Sequence, residues 1–435
     1  MNQNGKKQTT LEVIADFMNG GAWKQSEYFD DGIPVVRVTN IKNETADLSD
    51  CKFLPKSSLE KYRRHSLQTG DLVICTVGSH PTQPGSVVGR AAVIPPTAHG
   101  ALLNQNAVRI RSASPDIDQG WLGYLGRSQE FHDYIISCAR GSANQVRMAI
   151  GLLKEMPVNV PPHAEQRRIA GILSAYDELI ENSQRRIQIL ETMARALYRE
   201  WFIHFRYPGS EPSTRLSSHP SPRGRRDGDE GAQPEKTKIT NALPDGWVVQ
   251  KLKDVCQLTM GQSPKSEFYN EEGEGQPFHQ GVTNFGDRFP TDRLFCTVEG
   301  RVAQAGDILF SVRAPVGRMN IADKKIIMGR GVSAIRHNGG HQPFLWEQLR
   351  NHFTKVDMMG NGAIFASVTK ADMLGIDVLC PPESLIVSAE EHLTPLHNET
   401  GVLSRKIINL RQTRDLLLPR LLSGQIELEK MEDQQ

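Results

Sequence analysis

The side chains in this sequence best suited to chemistry are amides, hydroxyls and guanidinium groups gathered in short glycine-flanked stretches. Ser142-Ala-Asn144-Gln145-Val-Arg147, Asn104-Gln105-Asn106 and Gln280-Gly-Val-Thr283-Asn284 are the clearest, with Asn40 in the related Val38-Thr39-Asn40. An amide presents a donor beside an acceptor, the geometry that grips the edge of a base in the major groove. Arg313, Arg318 and Arg330 add guanidinium forks that suit guanine or phosphate. Asn, Ser and Gly are also what tight turns need, so any one of these residues taken alone reads more readily as loop chemistry. Their duplicated arrangement favours base reading by some of them.

Catalytic patterns are missing. The sequence contains no G-x-x-x-x-G-K-[ST] phosphate loop, no H-E-x-x-H metal helix and no G-x-S-x-G nucleophile elbow. Gly329-Arg-Gly-Val-Ser-Ala334 superficially matches G-x-G-x-x-A, but Ile335-Arg-His-Asn-Gly-Gly340 follows where a phosphate-holding helix is needed. Both Pro-Pro pairs lack the Asp or Asn in front and the aromatic behind that an adenine methyltransferase motif resembles: they read Val160-Pro-Pro-His163 and Cys380-Pro-Pro-Glu383. His163, His204, His279 and His392 have no carboxylate or second histidine at a ligand spacing. No catalytic residue and no metal ligand is assigned.

The elements that must carry the polar stretches come in two copies. Val38-Thr39-Asn40 returns as Val282-Thr283-Asn284, Gly70-Asp71-Leu72 as Gly306-Asp307-Ile308, and Gly89-Arg90 as Gly317-Arg318, in the same order. Short apolar runs bounded by Gly, Pro and Asn read as strands, and the stretches 121–136 and 343–355 as helices, so each copy is α+β with a mixed sheet. Each copy ends in an apolar strand before Pro-Pro, and Val160 maps onto Cys380 by a shift of 220 residues. Behind each Pro-Pro runs a heptad seam. Ile169, Leu173, Tyr176, Ile180, Ser183, Ile187, Leu190, Ala194, Leu197 and Trp201 map by the same shift onto Ala389, Leu393, Leu396, Thr400, Leu403, Ile407, Leu410, Arg414, Leu417 and Leu421. So long and narrow a seam predicts two long helices packed as an antiparallel coiled coil. Pro395 behind Thr394 has the setting of a first-turn proline after an N-cap, which offers the second helix a later start than 383.

The expected organisation is a first recognition domain over 1–162, a first spacer helix over 163–207 and a flexible linker over 208–242. A second recognition domain over 243–382, a second spacer helix over 383–424 and a tail over 425–435 complete it. The linker is Pro, Gly, Ser and charge, too poor in apolar residues to build a core. With 51 Lys+Arg against 50 Asp+Glu, any grip on nucleic acid has to come from local clustering. No stretch is apolar enough for a membrane span and the N-terminus has no apolar leader, so a cytoplasmic protein is expected. The six cysteines form no C-x-x-C pair and read as reduced, mostly buried thiols.

Two α+β segments alternating with two long helices resemble the specificity subunit of type I restriction-modification systems, over nearly the whole chain. Pro244-Asp-Gly-Trp247 resembles the opening of that family's target-recognition domains. The Gly-Asp strands, the stretch Gly329–Arg336, the helix start Pro161-Pro-His-Ala-Glu-Gln166 and the helix end Ala196-Leu-Tyr-Arg-Glu-Trp-Phe202 also fit. The first half lacks the Pro-x-Gly-Trp opening, and the second helix starts with Pro381-Pro-Glu-Ser-Leu385 in place of a Glu-Gln pair. The resemblance implies a noncatalytic reader of a bipartite sequence in double-stranded DNA, directing adenine methylation or restriction. Its implied partners are two methyltransferase subunits using S-adenosylmethionine and two motor-nuclease subunits using ATP and Mg, with no cofactor in this chain. The alternatives are a diverged DNA methyltransferase with fused recognition domains and a noncatalytic coiled-coil scaffold.

Overall fold

The computed structural model describes residues 7–42, 44–78, 86–142, 145–210, 243–358 and 367–426. Nearly all of the linker expected at 208–242 lies outside the described residues. The chain forms two compact units, residues 1–181 with 408–435 and residues 182–407.

In the first unit the strands are β1 (Ala15–Asn19), β2 (Ile33–Val36), β3 (Lys52–Leu54), β4 (Leu72–Cys75), β5 (Ala91–Val93), β6 (Leu102–Leu103) and β7 (Ala107–Ser112). In the second they are β8 (Cys256–Met260), β9 (Gln276–His279), β10 (Phe295–Cys296), β11 (Ile308–Ser311), β12 (Met319–Ile321), β13 (Ile326–Met328) and β14 (Val332–His337). The repeat read in the sequence is a repeat of topology. The order β1-β7-β4-β5 in one unit is β8-β14-β11-β12 in the other, and β6-β2-β3 is β13-β9-β10. An antiparallel pair closes each segment, Lys7–Thr10 on Pro157–Val160 and Val248–Lys251 on Asp377–Cys380. The central strands β4 and β11 are buried along their whole length, which is why they read as continuous apolar runs.

The repeated Gly-Asp pair has a structural cause. Gly70 and Gly306 turn at φ 87, a left-handed conformation that glycine adopts without strain. Asp71 then accepts from the Gln68 amide at 2.7 Å and from Arg111 Nε at 2.6 Å, while Asp307 accepts from the Gln304 amide at 2.7 Å and from Arg336 Nε at 2.5 Å. Gln119 and Gln342 make one further matching contact, each amide donating to the carbonyl of its Gly at 2.8 and 2.9 Å. They sit at the starts of α1 (Gln119–Leu125) and α3 (Gln342–Met358).

The long helices are α2 (His163–Phe202) and α4 (Glu383–Ser423). Pro161-Pro162 cannot continue a strand ladder, and Gln166, buried at the helix start, donates to the Pro161 and Asp116 carbonyls and accepts from the Asp118 amide. α4 stops at Gly424, whose φ of 78 is the usual left-handed helix end. Every one of the twenty seam positions is buried or half-buried. The helices run antiparallel within each unit. In the first, Asp177 meets Arg414 while Ile169 and Leu173 share a core with Leu418 and Leu421. In the second, Arg186 donates to Glu399 at 2.7 Å and Trp201 packs edge-on against His392.

The later start at Pro395 is incorrect, because α4 passes straight through that residue. Pro395 is exposed, as is Glu391, whose carbonyl loses its helical partner, while buried Leu393 and half-buried Leu396 hold the seam on either side. Pro244-Asp-Gly-Trp247 and Ala196–Phe202 turn out to be one packing motif. Trp247 is buried against Phe202 and Phe205, at ring centroid distances of 6.0 and 4.9 Å.

Candidate nucleic-acid interface

Five backbone hydrogen bonds build the same turn in both segments. In the first, the Gly20 amide donates to the Ala107 carbonyl at 3.0 Å, Gly21 to Leu103 at 2.7 Å, Asn104 to Val36 at 3.0 Å, Ala107 to Asn104 at 3.1 Å and Thr76 to Asn106 at 2.8 Å. In the second, Gly261 donates to Val332 at 3.0 Å, Gln262 to Met328 at 2.9 Å, Gly329 to His279 at 2.9 Å, Val332 to Gly329 at 3.1 Å and Val312 to Gly331 at 3.0 Å. Asn104-Gln105-Asn106 and Gly329-Arg330-Gly331 are therefore equivalent. The close crossing requires glycine: a Cβ on Gly20 would stand 2.0 Å from the Asn104 oxygen, and one on Gly261 2.2 Å from the Gly329 oxygen.

The side chains at the middle of these turns, Gln105 and Arg330, are exposed. Around Gln105 the turn holds Asn104 and Asn106 half-buried, and the Asn104 side-chain oxygen accepts weakly from the Asn106 amide at 3.4 Å. The strand Gln145–Met148 lies beside it, because the Met148 amide donates to the Thr76 carbonyl at 2.9 Å and Arg147, exposed, is in register with Val77. Ser142 pairs with Gln145 in the backbone ladder of Ala139–Ser142 with Gln145–Met148, whereas Asn144 lies outside the described residues.

Around Arg330, whose amide donates to Ser263 Oγ at 3.2 Å, the exposed Gln280 lends its carbonyl to Gly331 at 2.9 Å. Arg313, exposed, follows Val312 in the loop between β11 and β12, and exposed Arg318 closes that loop. Thr283 and Asn284 occupy the next turn, Val282–Asn284, Thr283 exposed and Asn284 half-buried with its carbonyl accepting from Thr291. The structure thus gathers Gln280, Arg313 and Arg330 about one turn.

Asn40 does not fit a base-reading role. It is buried, its amide nitrogen donates to the Asp47 and Asp50 carbonyls at 3.1 and 3.2 Å, and its oxygen accepts from the Arg37 amide at 3.1 Å. Both amide hydrogens are spent, so it has no donor left for the paired donor-and-acceptor grip on a base edge. Sequence reading missed the second arm of each turn, Gly20-Gly21 and Gly261-Gln262-Ser263. The signal was a glycine directly after an alternating strand, which marks a close backbone approach.

His279, fully buried beneath Gln280, places Nε2 3.0 Å from Asp292. Burial pushes its imidazole below the ordinary histidine range, although Asp292 pulls the other way. Among the described residues no group of three or more His, Cys, Asp or Glu is placed to hold a metal ion, and no helix is long and apolar enough to cross a membrane.

The family profile of the type I restriction modification DNA specificity domain matches residues 5–192 and 244–388. The chain is 26% identical over 422 residues to a putative type I restriction enzyme MjaX specificity subunit of Methanocaldococcus jannaschii, covering 96% of this chain and 93% of that protein. It is 23% identical over 443 residues to the type I restriction enzyme HindI specificity subunit of Haemophilus influenzae, covering 89% and 92%. In fold it is similar to the crystal structure of a type I restriction-modification system S subunit from M. genitalium, with a TM-score of 0.56 at 16% identity over 97% of each chain.

Proposed function

Since the chain belongs to the type I restriction-modification DNA specificity family, we propose that it reads a bipartite target in double-stranded DNA, one half-site per recognition segment, and itself performs no chemistry. The observation that carries this reading is the pair of equivalent turns. Each presents an exposed hydrogen-bonding side chain, Gln105 or Arg330, from a backbone frame held by the same five bonds. Gln suits adenine and Arg suits guanine, so one frame serves two different half-sites.

Methylation of adenine and cleavage then belong to partners: two methyltransferase subunits that use S-adenosylmethionine, and two motor-nuclease subunits that use ATP and Mg. Partners also answer an electrostatic problem. A chain with 51 basic and 50 acidic residues lacks the excess of cations whose counterion release dominates nonspecific DNA affinity, so other subunits have to help clamp the duplex. The test is to reconstitute the chain with methyltransferase subunits and map methylated bases genome-wide. One interrupted sequence with a modified adenine in each half is expected; a single uninterrupted site, or turnover by the chain alone, overturns the reading.

A further inference from the structure

Each unit carries a polar cluster where its recognition segment meets the long helices. In the first unit Arg127 donates to Glu44 at 3.2 Å and to Asp177 at 3.0 Å, and the Tyr124 hydroxyl donates to Asp177 at 2.7 Å. Arg414 of α4 reaches both acids, 3.0 Å from Glu44 and 2.6 Å from Asp177. In the second unit Arg288 donates to the His397 carbonyl at 3.0 Å, and His397 Nε2 lies 3.2 Å from Glu347. Arg350 is 3.8 Å from Glu347 and 3.0 Å from Glu191 of α2.

Four of the positions are the same in both units. The Glu44 carbonyl accepts from the Val93 amide at 3.0 Å, as that of Arg288 does from Ile321 at 2.8 Å, in matching strands β5 and β12. Gln119 and Gln342 align α1 with α3, which places Tyr124 on Glu347 and Arg127 on Arg350. The shift of 220 that aligns the helices places Asp177 on His397. Arg127 and Arg350 are alike, yet the charges around them differ in sign. The loop position is an acid in the first unit and a base in the second, and the helix position is an acid in the first and a histidine in the second. The opposite helix supplies a cation, Arg414, in one case and an anion, Glu191, in the other, about one helical turn from the equivalent of Arg414, which is Ala194.

We propose that the two clusters form an inverted charge key that makes the recognition segments non-interchangeable, each pair of helix ends accepting its own segment and rejecting the other. The second segment set on the helices of the first unit would bring Arg288 to Arg414 and Glu347 to Asp177. The first segment set on those of the second would bring Glu44 toward Glu191. Of the side chains that would meet, Arg288, Arg414 and Glu347 are 7%, 12% and 2% exposed, whereas Glu44, Asp177 and Glu191 keep 40%, 30% and 28%. The meeting of Arg288 with Arg414 is therefore dry on both sides and carries the main penalty for a wrong pairing, while water partly screens the meetings of acid with acid. The key concerns which segment docks where, so it stands whether or not two half-sites are read.

The full-length chain tests this by exchanging the key in halves. Glu44→Arg with Tyr124→Glu changes the segment side; Asp177→His with Arg414→Glu changes the helix side. Either half alone is expected to lower the thermal midpoint by about 5 °C or more, and the four substitutions together to recover most of that loss. Two halves that destabilise additively overturn the key. The second arm grafts residues 248–380 in place of 7–160 and compares native helices with helices carrying Asp177→His and Arg414→Glu. The helix pair of substitutions is expected to stabilise the graft while destabilising the native chain. A merely structural role would lower both, and a graft that fails on either version of the helices counts against the key.

Discussion

Asn40 and Gln105 are both amide residues in turns, and burial tells them apart. The side chain of the first is consumed by its own turn, while that of the second is exposed. Composition identified which turns are polar. It could not say where an amide spends its hydrogen bonds, because that depends on how the chain turns back on itself, as it does to bring the Asp47 and Asp50 carbonyls to Asn40. Replacing Gln105 or Arg330 with Ala is expected to relax discrimination at a base pair in one half-site by about 1–3 kcal/mol and to leave the other half-site unchanged. Binding competition against single-position target variants measures this. His279 bears on stability. Its folded-state pKa is depressed below the ordinary 6.5 by burial, with Asp292, Asp323 and Lys324 as the charged groups around it. The unfolded chain therefore binds the proton more readily. Its contribution is complete above pH 6.5 and is lost as pH falls through that value toward the folded pKa. Urea titrations of native and His279→Gln chains at pH 7.5 and 5.5 should show a smaller loss of stability on acidification in the variant.

At the scale of elements, the strands and both helices were legible because period and length are local signals. The seam was read to the residue, including the polar breaks. Arg414 breaks it for a reason sequence cannot show, its ion pairs with Asp177 and Glu44. Pro395 misled because a proline's effect depends on which side of the helix it occupies, and here that is the exposed side. It still removes one helical hydrogen bond. Pro395→Ala is therefore expected to stabilise the second unit by about 1–3 kcal/mol, read by chemical denaturation. The helix-end and Pro-x-Gly-Trp motifs were visible as motifs only; their meeting at Trp247 and Phe202 needed the fold.

For the whole molecule, the repeat visible at three dipeptides and tripeptides extends to sheet order, turn bonds and helix register, while the side chains on that frame diverge. Such duplication with divergence predicts independence. Exchanging residues 243–380 for the corresponding segment of another family member, with Arg288, Glu347 and Arg350 retained, should change one half-site and preserve the other. Methylation mapping decides it, and simultaneous change in both halves would contradict separate reading.

The five bonds that frame each turn are all made by main-chain atoms, so they place no chemical demand on the residue at the tip. Gly329 and Gly331 are fixed by their neighbours, since a Cβ on either would come within 2.6 Å of Gln280. Position 330, and position 105 with it, is by contrast a vacant letter in a fixed line of type. A library randomised at these two positions alone should yield mostly folded proteins whose preferences differ. On the proposed reading, new target vocabulary would arise by point substitution, without recombining whole segments.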